Sequence, residues 1–253
     1  MSKVTPTHSL AGKVALITGG AKRLGNAIAH ALHAQGAQLV IHYRSSQAAA
    51  EALVAELNGQ RPNSALALHC NLLETPALPT LIDQTIQHFG RLDMLINNAS
   101  SFYPTPMGSI DEAQWDDLFA SNLKAPLFLA QAAAPHLRAT QGLILNMVDI
   151  HAQRPLPNYT VYCLAKAGLI TLTKSLAREL GPDIRVNAIA PGPVLWPEQP
   201  MNEALQQEII GKTALKRQGS PQDIALAAVY FAKDAPYVTG QILAVDGGRS
   251  IGW

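Results

Sequence analysis

Tyr162 and Lys166 stand four positions apart in the segment YCLAK, and together they suggest proton chemistry. Residues four apart in a helix lie on one face, one turn from each other. An ammonium group beside a phenol favours the phenolate and should lower a tyrosine pKa from about 10 toward neutral pH. The pair therefore predicts a tyrosine that donates a proton, while an ordinary pair on a helix surface is the alternative.

A glycine-rich stretch, TGGAKRLG from Thr18 to Gly25, follows an apolar run and precedes a segment with helical spacing. Such a turn presents free N–H groups and the positive end of a helix dipole to a pyrophosphate. Gly19, Gly20 and Gly25 meet this need, while a strand-to-helix turn without a ligand is the alternative. Arg23 would add charge-assisted hydrogen bonds to a phosphate; otherwise it is a solvated cation in the first helical turn.

The segment IHYRSS, at the end of the second predicted strand, indicates which dinucleotide is bound. An acidic side chain about 20 residues after the glycine turn would hold the ribose 2′-hydroxyl of NAD. No acid occurs from His42 to Ser46, whereas Arg44, Ser45 and Ser46 supply a cation and hydroxyl donors that suit a 2′-phosphate. NADPH is therefore the predicted cofactor.

Composition excludes several other classes of function. Nineteen basic residues against eighteen acidic ones leave a formal charge of +1, so we expect no nucleic acid or membrane partner. Two cysteines, Cys70 and Cys163, are too few for a secreted disulfide framework, and no apolar segment has the length of a signal peptide or membrane span. We therefore expect a cytoplasmic protein. His30 and His33 share a helix face without an evident third ligand, so no metal site is expected.

Strand-like and helix-like segments alternate along the whole chain. This order predicts an α/β fold: a Rossmann-type, doubly wound parallel sheet of about seven strands with helices on both faces, in a single domain over 1–253. The loop PGPVLWPEQP follows the sixth strand, so a segment near 191–212 is expected to cover a pocket. The predicted strands are 14–18, 38–43, 65–70, 92–97, 143–148, 184–189 and 241–245, and the helices are 26–36, 48–57, 76–89, 111–137, 162–180 and 221–231.

Four motifs in sequence order give the chain a family resemblance. The glycine turn, NNAS at 97–100, Asn122 and RVNAIAPG at 185–192 resemble the short-chain dehydrogenase/reductase family. The resemblance implies hydride transfer from a nicotinamide, with Tyr162 as proton donor, Lys166 on the nicotinamide ribose and Asn122 supporting a relay water. It also implies a homotetramer built on long helices. The cofactor-binding residues that we expect are Gly19, Arg23, Leu24, Gly25, His42, Tyr43, Arg44, Ser45, Ser46, Asn71, Leu72, Asn98, Ala99, Ser100, Tyr162, Lys166, Pro191 and Gly192.

Two departures from the general family pattern resemble the pteridine reductases. Arg23 stands where most members have glycine, and Asp149 stands where most have a catalytic serine. The segments NNASSFYPTP and LNGQRPNSA add to this likeness. It implies a pterin or folate substrate stacked on Phe102, with Ser100 and Arg23 contacting both pterin and cofactor and Asp149 paired with Tyr162 for protonation.

Alternatives remain for each of these residues. Asp149 could cap the following loop, and Phe102 could be ordinary core. Asn71 stands where the family usually has aspartate, and the residue that contacts the 2′-phosphate is left open among Arg44, Ser45 and Ser46.

The competing functions are reduction of a ketone, such as a ketoacyl thioester, steroid or sugar, and a catalytically silent NADPH sensor.

Overall fold

A computed structural model describes residues 9–196 and 201–252 of the chain. Its centre is one sheet of seven parallel strands in the order β3-β2-β1-β4-β5-β6-β7. The predicted doubly wound α/β fold is thus confirmed. The strands are β1 (Val14–Ile17), β2 (Gln38–Tyr43), β3 (Ala65–His69), β4 (Met94–Asn97), β5 (Leu143–Met147), β6 (Arg185–Pro191) and β7 (Ile242–Val245).

Helices cover both faces of the sheet because alternate strand residues point to opposite sides. In β1, Ala15 and Ile17 pack with α1, α2 and α8, whereas Val14 and Leu16 pack with α3, α5 and α6. Each face is therefore a separate apolar layer. The helices are α1 (Arg23–Ala34), α2 (Gln47–Gln60), α3 (Leu78–Phe89), α4 (Glu112–Phe119), α5 (Ala125–Thr140), α6 (Thr160–Glu179), α7 (Glu203–Gly211) and α8 (Pro221–Lys233).

The helix predicted over 111–137 is interrupted. Asp111 caps α4 through a capping box with Gln114, and a π-helical turn over Ala120–Lys124 then separates α4 from α5. The side-chain amide of Asn122 donates to the Leu118 carbonyl at 2.9 Å and so satisfies an acceptor at the interruption. A second difference is α7, a helix that lies within the covering segment predicted near 191–212.

The carboxyl ends of β1 and β4 form the crevice of the sheet. β1 pairs with β2 on one side and with β4 on the other. Successive strands are therefore added outward in opposite directions from β1 and β4, although all of them run parallel. At the opposite, amino-terminal edge, hydrogen bonds within the protein occupy the Asp93 carboxylate. It accepts from the Val14 N–H at 2.9 Å and from the Arg91 guanidinium at 2.7 and 2.8 Å. A ligand site is therefore expected at the carboxyl edge.

Within the described ranges, no helix is both long and apolar enough to cross a lipid bilayer. The same ranges contain no group of three or more His, Cys, Asp or Glu side chains arranged for a metal ion. Cys70 and Cys163 are both buried as free thiols.

Candidate active site

A cavity of about 1020 Å³ lies at the carboxyl ends of the strands and is bordered by α7 and the segment after β7. It brings together most of the residues that the sequence reading assigned to the site. Three of them, Gly25, Asn71 and Asn122, do not line it. Those that do are Gly19, Arg23, Leu24, His42, Tyr43, Arg44, Ser45, Ser46, Leu72, Asn98, Ala99, Ser100, Phe102, Asp149, Tyr162, Lys166, Pro191 and Gly192.

The turn between β1 and α1 is shaped by close backbone packing. Gly19 has a φ of +60°, which favours glycine. A Cβ on Gly25 would lie 2.4 Å from the Gly19 carbonyl oxygen and 2.7 Å from the Asn98 amide nitrogen. That amide donates to the carbonyls of Thr18 and Gly19 at 2.9 and 3.0 Å. Gly25 and Asn98 therefore hold the turn in shape, Gly25 from behind the cavity wall.

Arg23 has a left-handed backbone, with a φ of +54°. This conformation explains why glycine suits the position and means that the arginine is held there at some cost in strain. Its Nη2 donates to the Trp196 carbonyl at 3.0 Å. The side chain thus crosses the cavity from the glycine turn to the segment after β6, where Trp196 and Met201 also line the wall.

His42 supports the glycine turn from β2. Its Nδ1 accepts from the Gly19 N–H at 3.1 Å, and its Nε2 lies 3.0 Å from the Cys70 carbonyl. Because a carbonyl only accepts, Nε2 carries the proton and the ring is neutral. Burial lowers the pKa of His42 to about 4, and the nearby Arg44 acts in the same direction. Both ring nitrogens are hydrogen-bonded within the protein, so His42 supports a ligand site indirectly, by holding the glycine turn in position.

The end of β2 is open to solvent. Arg44 and Ser45 are exposed and Ser46 is half-buried, and all three line the cavity. At the end of β3, Leu72 is buried and lines the cavity, whereas the Asn71 amide donates to Glu74 at 2.8 Å. The Asn71 side chain is thus engaged with its own loop and does not line the cavity, and its expected contact with the cofactor stays a prediction.

The proton-transfer groups meet at the end of β5. The Tyr162 hydroxyl donates to Asp149 Oδ2 at 2.8 Å. Asp149 Oδ1 accepts from the His151 N–H at 2.8 Å and caps the 3₁₀ turn Ile150–Ala152. The carboxylate therefore serves both the loop, as the structural alternative proposed, and the tyrosine.

Burial raises the pKa of Tyr162 well above its usual value, and the Asp149 charge adds to the effect. The expectation that Lys166 lowers this pKa is therefore wrong for this arrangement. Burial lowers the pKa of Lys166 to about 8, with Asp149 opposing the shift. The Lys166 ammonium donates to the Met147 carbonyl at 2.9 Å and lies 5.6 Å from the centre of the Tyr162 ring. The phenol is thus held protonated, as a proton donor must be.

Asn122 lies in the π-helical turn and is 1% exposed. Its Oδ1 accepts from the Ser100 hydroxyl at 2.7 Å, and its amide donates to the Ser101 carbonyl at 3.0 Å. Asn122 thereby fixes the segment after β4 from behind, while Ser100 and Ser121 face the cavity.

Phe102 remains 44% exposed at the cavity wall, so it is not a core residue. One side stacks on Tyr159, with ring centroids 4.6 Å apart and planes at 15°, and Tyr162 meets it edge-on at 4.8 Å. Tyr159 was not predicted, although its position three residues before Tyr162 places the two one helical turn apart. Sequence reasoning did not assign His151 and Arg249 to the cavity, whereas Leu205, Glu208, Ile209 and Lys212 belong to the segment near 191–212 that was expected to cover it.

Comparison with known proteins identifies the family. A family model described as enoyl-(acyl carrier protein) reductase matches residues 19–250. The chain belongs to the short-chain dehydrogenase/reductase family. It is therefore an oxidoreductase of this family, whose reductases use a nicotinamide cofactor.

Relatives within the family reduce different compounds, as their names state. Pteridine reductase 1 of Leishmania tarentolae is 38% identical, covering 97% of this chain and 99% of its own. The 3-oxoacyl-[acyl-carrier-protein] reductase FabG of Staphylococcus aureus is 34% identical, with coverage of 93% and 97%. The hydroxynaphthalene reductase-like protein Arp2 of Metarhizium anisopliae is also 34% identical, with 98% of each chain covered. The likeness to pteridine reductases is confirmed, and the family alone leaves the substrate open.

Proposed function

We propose that the protein is a pteridine reductase, which uses NADPH to reduce dihydropterins, and also biopterin and dihydrofolate, to tetrahydro forms. The observation that carries the proposal is the 2.8 Å hydrogen bond from Tyr162 to Asp149 beside the exposed ring of Phe102. A phenol paired with a carboxyl group and an aromatic surface suits protonation of a flat heterocycle. The similarity to pteridine reductase 1 supports the same substrate class.

The residues at the end of β2 fit NADPH better than NADH. Arg44 and Ser45 are exposed at the cavity, and no acidic side chain stands between His42 and Ser46 to repel a 2′-phosphate. When bound, the reduced nicotinamide supplies a hydride. Lys166, which lines the cavity with its ammonium held by the Met147 carbonyl, would bind the nicotinamide ribose.

Reduction of a ring C=N requires a hydride at carbon and a proton at nitrogen. Tyr162 would donate that proton from its hydroxyl, since the residue lines the cavity beside Phe102. Asp149 accepts the hydrogen bond from Tyr162, so it would act together with the phenol in protonation. His151 holds Asp149 through its backbone N–H and thereby keeps the carboxyl in reach of the phenol.

The substrate would lie on the ring of Phe102, since Tyr159 stacks on that ring and fixes its plane. Ser100 and Arg23 also line the cavity, which supports their proposed contacts with both pterin and cofactor. The segment near 191–212 would cover them: residues 193–196 and α7 line the cavity, and 197–200 lie outside the described residues.

The proposed assembly is a homotetramer. Large apolar side chains are exposed on the long helices, namely Trp115 on α4, Leu127 on α5 and Leu164 on α6. A second copy of the chain would remove such side chains from water.

The direct test is a substrate panel. Loss of NADPH absorbance is measured with biopterin, dihydrobiopterin and dihydrofolate, and again with NADH in place of NADPH. We expect turnover of dihydropterins with a clear preference for NADPH. Failure of all three pterins to oxidise NADPH would overturn the proposal.

Asp149 provides the second test. In Asp149→Asn the side chain keeps its shape and loses its acid, so pterin turnover should fall about 100-fold, within the range of general acid catalysis. Arg138→Gln, at the exposed ion pair with Asp183 away from the cavity, is the control and should keep wild-type turnover.

Ketone reduction is the competing function, because the relatives include a 3-oxoacyl-[acyl-carrier-protein] reductase. Asp149→Ser would give this chain the residue that we associate with carbonyl reduction in the family. Wild-type activity on a ketoacyl thioester that exceeds activity on dihydropterins would favour the competing function. Ketone activity that emerges only in Asp149→Ser would favour the pterin assignment.

A further inference from the structure

A second cavity of about 300 Å³ adjoins the active site. It lies between the loop after β5 and the segment after β7. Five residues line both cavities, so the smaller one is a side chamber of the larger. The shared residues are Ile150, His151, Leu156, Pro157 and Arg249, and the side chamber adds Arg154, Pro155 and Gly252.

Three of the residues that form the side chamber carry basic side chains. Arg154 donates from Nη1 to the Gly252 carbonyl at 3.1 Å and ties the two walls together. His151 Nδ1 lies 2.9 Å from the Arg154 carbonyl, so this nitrogen carries a proton and donates it to that carbonyl. Arg249 is half-buried at the junction of the two cavities.

The acidic groups close to Arg249 form their hydrogen bonds and ion pairs with other residues, and Glu208 feels the Arg249 charge only at longer range. The Asp246 carboxylate accepts from the backbone N–H groups of Gly248 and Ser250 at 2.9 and 2.6 Å. Glu208 is paired with Lys212 one helical turn away. Among the described residues, the Arg249 guanidinium has neither a hydrogen bond nor an ion pair, so its donors are available to an anion.

We propose that this side chamber binds a carboxylate on the side chain of the substrate, and that it selects dihydropterins with a glutamate tail, such as dihydrofolate. The inference rests on the proposed function. Guanidinium groups match carboxylates in shape and charge. The chamber begins two residues from Asp149, whose Oδ1 accepts from His151, so a ring protonated at Tyr162 would extend its side chain over Leu156 and Pro157 toward Arg249.

Dihydropteroate and dihydrofolate test the inference, because dihydropteroate ends in a single benzoate carboxylate and dihydrofolate carries two carboxylates further out, on its glutamate. We expect wild-type kcat/KM to be about tenfold higher for dihydrofolate, through KM, and the advantage to shrink as salt is added. Arg249→Gln should abolish this preference, and Arg249→Lys should restore part of it. Arg138→Gln, a matched loss of one surface guanidinium, should keep the full preference.

A binding measurement separates failure of this inference from failure of the proposed function. Titration calorimetry compares p-aminobenzoylglutamate with p-aminobenzoate on wild type and Arg249→Gln. Tighter binding of the glutamate compound that depends on Arg249 supports the side chamber, even if no pterin is reduced. Pterin turnover with equal kcat/KM for dihydrofolate and dihydropteroate, or a preference that survives in Arg249→Gln, overturns it and leaves the proposed function standing.

Discussion

The active-site cavity has two halves, which the proposed function assigns to the cofactor and to the substrate, and the two are built on different principles. In the cofactor half, formed by the glycine turn and the ends of β2 and β4, polar groups bond to one another: Asn98 and His42 both hold Gly19. In the substrate half, around Asp149 and Tyr162, one acid pair is closed while aromatic faces and the Arg249 guanidinium stay open. In the cofactor half, internal hydrogen bonds fix the shape of the backbone before a ligand binds. In the substrate half, only the Asp149–Tyr162 pair is held in position, and the surrounding groups remain available to a ligand.

This contrast predicts different results when a side chain is changed. Alterations in the cofactor half should disturb folding and cofactor affinity together, since the same hydrogen bonds serve both. Alterations in the substrate half should change turnover or substrate choice with little effect on folding.

The largest expected effect is at Tyr162. Tyr162→Phe removes the proton donor and leaves Asp149 with its bond from the His151 N–H, so kcat should fall about 1000-fold, within the range for a lost general acid. NADPH affinity, followed by fluorescence titration, should change less than twofold. A variant that kept a tenth of wild-type kcat would show that another group supplies the proton.

The next effect is the acid stability of the cofactor half. Because the folded pKa of His42 is about 4 and its ordinary value is 6.5, the unfolded chain takes up a proton first as pH falls. The contribution of neutral His42 to the free energy of unfolding, on the order of 3 kcal/mol, is complete above pH 6.5 and is lost between pH 6.5 and 4. Denaturant unfolding across this range measures it.

His42→Asn should flatten the slope of stability against pH relative to wild type, since it removes the titrating ring. His33 is also buried with a lowered pKa and contributes in the same direction, so the difference between the two proteins isolates His42. His88→Asn, which removes an exposed imidazole from α3, is the control. Equal slopes for wild type and His42→Asn would contradict the role of His42.

The third effect is at Gly25. In Gly25→Ala the new Cβ would meet backbone oxygen at 2.4 Å, so we expect a loss of about 2 kcal/mol in unfolding free energy and a raised KM for NADPH. Gly59→Ala is the matched control, because a Cβ there has no atom within 4 Å. That helical variant should gain up to about 1 kcal/mol. Equal stabilities for the two variants would show that α1 tolerates a shift away from the turn.

The fold and the cofactor half could be predicted from the sequence for a physical reason. Alternating strands and helices permit few topologies, and the spacing of Gly19 and Gly25 records a local backbone requirement. The interruption of the 111–137 helix was missed because the backbone stays helical from α4 through the π-helical turn into α5, so no turn residue marks the change.

The substrate half was predicted in part. Asp149 and Tyr162 were paired by resemblance, and the structure joins them by a hydrogen bond across thirteen positions of the sequence. Arg249 was missed because it is far from Asp149 and Tyr162 in sequence. Only the pairing of the strands brings the segment after β7 to the same edge of the sheet as the segment after β5. The pKa of Tyr162 was also misjudged, since burial cannot be read from the spacing to Lys166.

The smallest expected effect is at Arg23, whose backbone belongs to the glycine turn and whose side chain extends across the cavity. Arg23→Ala and Arg23→Gly both remove the guanidinium and its bond to the Trp196 carbonyl, so both should lower NADPH affinity by a similar factor. They differ in backbone strain: at a φ of +54° glycine is free of the penalty that alanine keeps, and Arg23→Gly should be more stable by about 1 kcal/mol. Paired urea unfolding and NADPH titrations measure the two quantities. If the glycine variant matched wild-type affinity, the arginine would serve the turn alone; a loss of affinity despite relief of strain would mean that the strained arginine is retained for its charge.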